Sequence, residues 1–263
     1  MIAIMLLSCH ARVYMEEQKY VSIVIPVFNA DPYLEICLSS ICAQTYPYYK
    51  VIIIDDGSTD RSGLIAAHFA EQDSRFCVYH TENGGVSRAR NLGISLSCTD
   101  YLCFIDADDY VEPAFLEHLM SEIGDADICV SAKRRWDQCK NKIRCDRFPA
   151  FRGSVTELTR HMFPYLRAMR GVTGRIFSGA LFRDASLRFD ESLDYGEDMK
   201  LNYAAFCLAE NVVFCSEPLY TYRIHNPLSL SRQNSVKVST QSRNQEECIR
   251  MLKDQKARHS SLI

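Results

Sequence analysis

No C-x-x-C pair occurs among the twelve cysteines, no apolar run is long enough for a bilayer, and basic charge is not in excess. Closely spaced thiolate pairs are what structural zinc sites use, and Cys98/Cys103 and Cys139/Cys145 have the wrong spacing for one. Cysteines such as Cys37, Cys42, Cys98, Cys103, Cys207 and Cys215 lie within apolar runs, so they are expected to be reduced and buried. Ile2 to Leu7 is apolar but far short of the roughly 20 residues a membrane helix needs. It also lacks a basic start and a small-residue cleavage pattern, so a cytoplasmic chain is expected. The 30 Lys+Arg against 33 Asp+Glu give a formal charge of −3, which argues against nucleic acid as a partner. Internal repeats and low-complexity tracts are also missing.

What is present is ordinary globular composition: 47% hydrophobic, 24% charged, with 11 glycines and 8 prolines in 263 residues. At roughly 150 residues per domain, that length predicts between one and two domains. From Tyr20 the chain alternates short β-branched runs with segments of helical period. Val21 to Ile25 reads as a strand buried on both faces, and Asn29 to Pro32 then opens a helix carrying Leu34, Leu38 and Ile41.

Further strands are expected at Val51 to Ile54, Phe76 to Tyr79, Tyr101 to Ile105 and around Asp127 to Val130. The helices between them fall at Leu64 to Phe69, Val86 to Leu96 and Pro113 to Ile123. This alternation predicts an α/β fold, a mostly parallel sheet flanked by helices, with ligands at the carboxyl ends of the strands. Beyond Trp136 a polar, basic stretch from Lys133 to Arg147 reads as a linker or loop. Helices near Thr156, Gly179 to Ala185 and Asp198 to Leu208, and strands at Val212 to Cys215 and Leu219 to Ile224, give the second half an α+β character.

Four polar clusters sit where that fold places ligands. Asp55-Asp56-Gly57-Ser58-Thr59-Asp60 follows a buried strand, and its carboxylates suit a base N–H or a ribose hydroxyl; the alternative is a solvated turn. Asp106-Ala107-Asp108-Asp109 gathers three acids that repel unless a cation neutralises them, and oxygen ligands with an open side suit Mg²⁺ or Mn²⁺. In an extended D-x-D, Asp106 and Asp108 would point the same way; the alternative is an acidic surface turn. Asn83-Gly84-Gly85-Val86-Ser87-Arg88-Ala89-Arg90-Asn91 opens a helix with glycines and two arginines, a pattern able to cradle a diphosphate. Gly196-Glu197-Asp198 starts another helix, where acids are also favoured by the helix dipole alone.

Taken in order with Pro26-Val27-Phe28-Asn29, these motifs resemble the family 2 glycosyltransferases over about Val21 to Ser231. The resemblance implies the GT-A fold and inverting transfer of a sugar from a nucleotide donor, a UDP-sugar, to a glycan or lipid-linked hydroxyl in cell-surface polysaccharide or glycoconjugate synthesis. It implies that Asp56 pairs with the base, that Pro26 and Phe28 line its pocket, and that Gly85, Arg88 and Asp106 contact the donor. Asp108, with Asp106 and His225, would hold Mn²⁺ or Mg²⁺, and Asp198, beside Glu197, would be the catalytic base. The divalent ion would offset charge on the departing diphosphate while the carboxylate takes the acceptor proton.

The resemblance also divides the chain into an extension at 1–19, a catalytic domain at 20–230 and a basic tail at 231–263. Within the catalytic domain, 20–130 would bind the nucleotide sugar and 131–230 the acceptor. The tail carries Arg232, Lys237, Arg243, Arg250, Lys253, Lys256 and Arg258, and would add peripheral contact with the inner face of the cell membrane; a solvated tail is the alternative. Thr173-Gly174-Arg175 departs from relatives that carry Asn and Lys there, a departure that touches acceptor contacts rather than the donor site. Competing readings are a non-catalytic nucleotide-sugar-binding protein and a sugar nucleotidyltransferase. The second lacks its glycine-rich, lysine-containing signature at Val27-Phe28-Asn29-Ala30-Asp31. A phosphate-receiver domain would leave the second half unexplained.

Overall fold

Uninterrupted β-branched sequence forms the middle of the sheet. A computed structural model of the chain describes residues 18–193 and 195–224; His225 and the tail at 231–263 lie outside the described residues. Strand β1 (Val21–Val27) is buried along nearly all its length and pairs in parallel with β2 (Tyr49–Asp55) and with β4 (Tyr101–Phe104). Outside β2 lies β3 (Phe76–His80), also parallel. The connections are helices α1 (Asp31–Cys42), α2 (Ser62–Gln72) and α3 (Val86–Leu96), as the alternation predicts. Pro32 sits in the first turn of α1, and Leu34, Leu38 and Ile41 are all fully buried.

The period-2 alternation of β1 divides its side chains between two cores. Val21, Ile23 and Ile25 pack with α1 and with α4 (Phe115–Ile123) on one face, while Val24 joins Ile52 and Ile54 under α3 on the other. This second core also takes α5 (Val155–Arg160), α6 (Ala180–Arg183) and α7 (Glu197–Leu208). Helices therefore cover both faces of the open sheet.

Beyond β4 the sheet is mixed. Ten strands of the described residues join one sheet, ordered β3-β2-β1-β4-β9-β6-β10-β5, with β7 on β6 and β8 on β10. Strand β5 is Tyr110–Val111, β6 Ile128–Asp137, β7 Lys142–Asp146, β8 Phe151–Ser154, β9 Arg175–Ser178 and β10 Asn211–Ile224. Strand β9 runs antiparallel to both β4 and β6, and β6 runs parallel to β10.

Three expectations change here. The basic stretch from Lys133 onward is no linker: it continues β6 to Asp137 and turns back as β7, with Arg135 opposite Arg144. Its β6 side chains from Lys133 to Asp137 are half-buried and most of those of β7 are exposed, so polar composition disguises the hairpin as a loop. The two late strands are one, β10, interrupted by register shifts between Cys215 and Tyr220 where Pro218 cannot donate to the ladder. Among the described residues the cysteines are free; Cys37, Cys103, Cys129 and Cys215 are buried, but Cys207 is half-buried and Cys42 and Cys98 are exposed, against expectation.

Candidate active site

At the carboxyl end of β2, Asp56 is buried and its carboxylate is already engaged. The backbone N–H groups of Gly84 and Gly85 donate to its two oxygens at 2.9 and 2.8 Å, and the Thr81 hydroxyl donates at 3.3 Å. Asp56 thus fastens the glycine turn that opens α3; Oδ1 takes two of these bonds and Oδ2 one, which leaves Oδ2 a second lone pair for a ligand. Gly85 adopts φ 89°, a left-handed backbone that favours glycine. Arg88 is exposed and its side chain runs over Gly84, where a Cβ would collide with it. Pro26 is half-buried and Phe28 is 52% exposed beside this turn at the end of β1. Neighbouring Asp55 accepts from the Ser58 N–H at 3.0 Å and pairs with His80 Nδ1 at 2.8 Å.

Arg90 does not join Arg88 in a solvent-facing cradle. It is turned inward, 5% exposed, and its guanidinium donates to Asp106 Oδ1 at 2.8 Å and to Glu197 Oε1 at 3.0 Å. Burial works against its charge, but Asp106 and Glu197 outweigh burial and hold its pKa above the ordinary value. One side chain thereby joins the end of β4 to the first turn of α7.

The acids after β4 do not form an extended D-x-D. The Asp109 N–H donates to the Asp106 carbonyl at 3.0 Å, closing a turn, so side-chain alternation does not govern them. Asp106 and Asp108 are half-buried, whereas Asp109 is fully buried. Asp109 accepts from the Tyr220 hydroxyl at 2.6 Å and from the Arg223 N–H at 2.9 Å. Burial, and then the charges of Asp108 and Asp106, push its pKa well up. The third acid is therefore a structural anchor.

That anchor depends on β5, whose antiparallel pairing with β10 brings Arg223 onto the turn. The Arg223 Nε donates to the Asp108 carbonyl at 2.8 Å, and its guanidinium lies 4.9 Å from the Tyr33 ring and 5.0 Å from Trp136. Sequence reasoning missed Arg223, because only the β5 pairing reveals its neighbours.

Helix α7 begins after Gly196, at φ 84°, so that Glu197 and Asp198 occupy its first turn. Asp198 is half-buried. Burial, followed by repulsion from Glu197, raises its pKa to about 6, and Arg90 limits the rise. A Cβ placed on Gly171 would lie 3.6 Å from Asp198 Oδ2 and 3.8 Å from Lys133 Nζ, so this glycine leaves a gap between acid and ammonium. Lys133, the second residue missed, donates to the Thr173 hydroxyl at 2.7 Å. Burial and the charge of Arg175 bring its pKa down to about 8. Arg175 is fully buried and donates to Asn202 Oδ1 at 2.8 Å and to the Ala168 carbonyl, so it braces the wall of the site from behind.

No group of three His, Cys, Asp or Glu side chains among the described residues is arranged around a single cation position. Asp106 and Asp108 still fit a divalent ion of the kind that takes one or two protein carboxylates and completes its shell with substrate phosphates.

The sequence profile described as Glycosyl transferase family 2 matches residues 22–189. The chain belongs to that family. It is 34% identical over 218 residues to the uncharacterized glycosyltransferase EpsJ of Bacillus subtilis, covering 80% of this chain and 62% of that one. It is 32% identical over 226 residues to glycosyltransferase GlyA of Streptococcus pneumoniae, covering 81% of this chain and 31% of that one. The chain therefore spans less than two thirds of these relatives. Among solved structures, S. aureus TarS 1-349 in complex with UDP-GlcNAc superposes with a TM-score of 0.69 at 20% identity, over 81% of this chain and 60% of that one. The mannosyltransferase PcManGT of Pyrobaculum calidifontis, in complex with GDP-Man and Mn²⁺, gives 0.60 at 16% identity, over 80% and 59%. Both likenesses identify the fold as GT-A. No helix among the described residues is long and apolar enough to cross a membrane.

Proposed function

We propose that this family 2 glycosyltransferase moves a sugar, with inversion, from a UDP-linked donor to a hydroxyl of a glycan or lipid-linked acceptor in cell-surface polysaccharide or glycoconjugate synthesis. Residues 20–130 bind the donor and 131–230 the acceptor. Asp56, Pro26, Phe28, Gly85 and Arg88 receive the nucleotide, and Asp106 and Asp108 hold Mn²⁺ or Mg²⁺. When bound, that ion offsets the charge that grows on the departing diphosphate.

The observation that carries this reading is the bridge from Arg90 to both Asp106 and Glu197. It ties the donor-side acid to the helix bearing Asp198, so that the leaving-group side and the base side of one displacement are held in fixed relation. Asp198, with a pKa near 6, is ionised at neutral pH yet basic enough to take the acceptor proton. The relatives' names and the UDP-GlcNAc complex of TarS agree with this reading. The basic residues at 231–263 support contact with the inner membrane surface, checked by sedimentation with vesicles containing anionic lipid.

Calorimetric titration with UDP, GDP and CDP, with and without Mn²⁺, tests the donor assignment on wild type, Asp56→Asn and Asp108→Asn. Metal-dependent UDP binding that loses its metal dependence in Asp108→Asn is expected. Absence of nucleotide binding under every condition would overturn the donor assignment, whereas UDP binding without any sugar transfer would favour the non-catalytic nucleotide-sugar-binding reading.

A further inference from the structure

Beside the gap at Gly171 a cleft of about 240 Å³ opens on the acceptor side, walled by Lys133, Asp146, Arg147, Phe148, Arg167 and Ala168. One water needs only roughly 10–15 Å³ of such space, so the cleft is of a size for a molecule. Its charge is lopsided. Asp146 is the one acid in the wall, and it already lies between Arg167 at 3.1 Å and Arg135 at 3.7 Å. Lys133 and Arg147 are therefore not neutralised by it.

Lys133 links this cleft to the reaction centre. Its Nζ and Asp198 Oδ2 flank the same open space over Gly171, at 3.8 and 3.6 Å from the position of a Cβ there. A neutral hydroxyl-bearing sugar would gain little from a lysine and two arginines. An oxyanion would gain charge-assisted hydrogen bonds from them, bidentate where a guanidinium meets a carboxylate or phosphate. The apolar part of the wall, Phe148 and Ala168, suits the less polar face of the ring that carries it.

We propose that this cleft is an acceptor subsite for an oxyanion, a phosphate or carboxylate borne by the saccharide to be glycosylated, and that Arg147 and Arg167 select it. Lys133 positions the bound group so that a neighbouring hydroxyl faces Asp198. This inference rests on the chain acting as a sugar transferase, and it names the class of acceptor.

The test is a binding measurement that requires no turnover. Glucose 1-phosphate, glucuronate and glucose are titrated calorimetrically into the full chain, wild type and the Arg147→Gln, Arg167→Gln and Arg88→Gln variants. At least one of the two anionic sugars is expected to bind at least about tenfold more tightly than glucose, and Arg147→Gln to weaken it about tenfold. Arg167→Gln should act in the same direction, while Arg88→Gln, on the donor side, leaves the affinity unchanged. Whichever anion binds identifies the oxyanion as phosphate or carboxylate. Equal affinity for glucose and both anions would overturn the proposal. So would loss of anion binding in Arg88→Gln with none in Arg147→Gln and Arg167→Gln, because the ligand would then occupy the donor site. The UDP titration reports separately on the donor assignment, so failure of one is distinguishable from failure of the other.

Discussion

Arg90 and Glu197 form a buried ion pair at 3.0 Å across 107 residues of chain, and the same guanidinium holds Asp106 at 2.8 Å. Side-chain exposure of 6% for Arg90 and 12% for Glu197 leaves little water to replace either partner. Removing the cation would strand two carboxylates that it now compensates, next to a third at Asp198.

The first prediction follows from that stranding. Arg90→Met should lower stability by about 3–5 kcal/mol, the usual cost of breaking a buried pair from one side. Arg90→Lys keeps the charge but cannot fork to both acids, so it should fall between the two. Urea unfolding at pH 7 measures both. A loss below about 1 kcal/mol in Arg90→Met would show that the bridge contributes little to holding α7 against β4.

The second prediction concerns pH. Asp198 has its pKa raised to about 6, and a base must be ionised to accept a proton. Release of UDP from a UDP-sugar with a competent acceptor should therefore rise about tenfold per pH unit below 6 and level off above about 7. Asp198→Asn should abolish the release while leaving UDP affinity intact. Removing Arg90, which limits the rise in pKa, should move the midpoint upward. A rate independent of pH between 5 and 8 would remove Asp198 from the role.

How far these features were legible in the sequence depends on how local their causes are. The boundaries of α3, Val86 to Leu96, follow from a glycine opening and helical spacing, both contained in the short stretch from Gly84 to Leu96. Val21 to Ile25 reads as doubly buried because its own composition says so. Arg90 is different: sequence places it on the first turns of a helix beside Arg88, but whether it faces solvent or Glu197 depends on a helix more than 100 residues away. Lys133 and Arg223 were hidden for the same reason, since the pairings of β6 with β10 and β7, and of β5 with β10, create their neighbourhoods. The basic composition of β6 and β7 resembles a loop because β7 is mostly exposed and the end of β6 is only half-buried.

The third prediction explains one glycine of the α3 motif. A Cβ on Gly93 would overlap the Val24 side chain, because α3 lies directly on β1 there. Gly93 is in a helix, where alanine would otherwise be favoured by up to about 1 kcal/mol. Gly93→Ala should instead destabilise by about 1–3 kcal/mol through overpacking. Pairing it with Val24→Ala should recover part of the loss, and a double-mutant cycle by urea unfolding measures the coupling. Strict additivity of the two changes would disprove the contact as the cause.

The fourth prediction separates the third acid from the two beside it. Asp109 is fully buried and serves as acceptor for the Tyr220 hydroxyl and the Arg223 N–H. Asp109→Ala leaves both donors buried without a partner, which should cost about 1–3 kcal/mol for each. Asp109→Asn retains an amide oxygen for the Arg223 N–H, and the Tyr220 hydroxyl can turn to accept from the amide, so most of that loss should disappear. If Asp109 instead acted chiefly as a cation ligand, Asp109→Asn would keep stability but raise the Mn²⁺ concentration needed for UDP binding as strongly as Asp108→Asn does. Unfolding and UDP titration on the same two variants therefore distinguish an anchor from a ligand, and the hydrogen bonds to Tyr220 and Arg223 make the anchor the expected result.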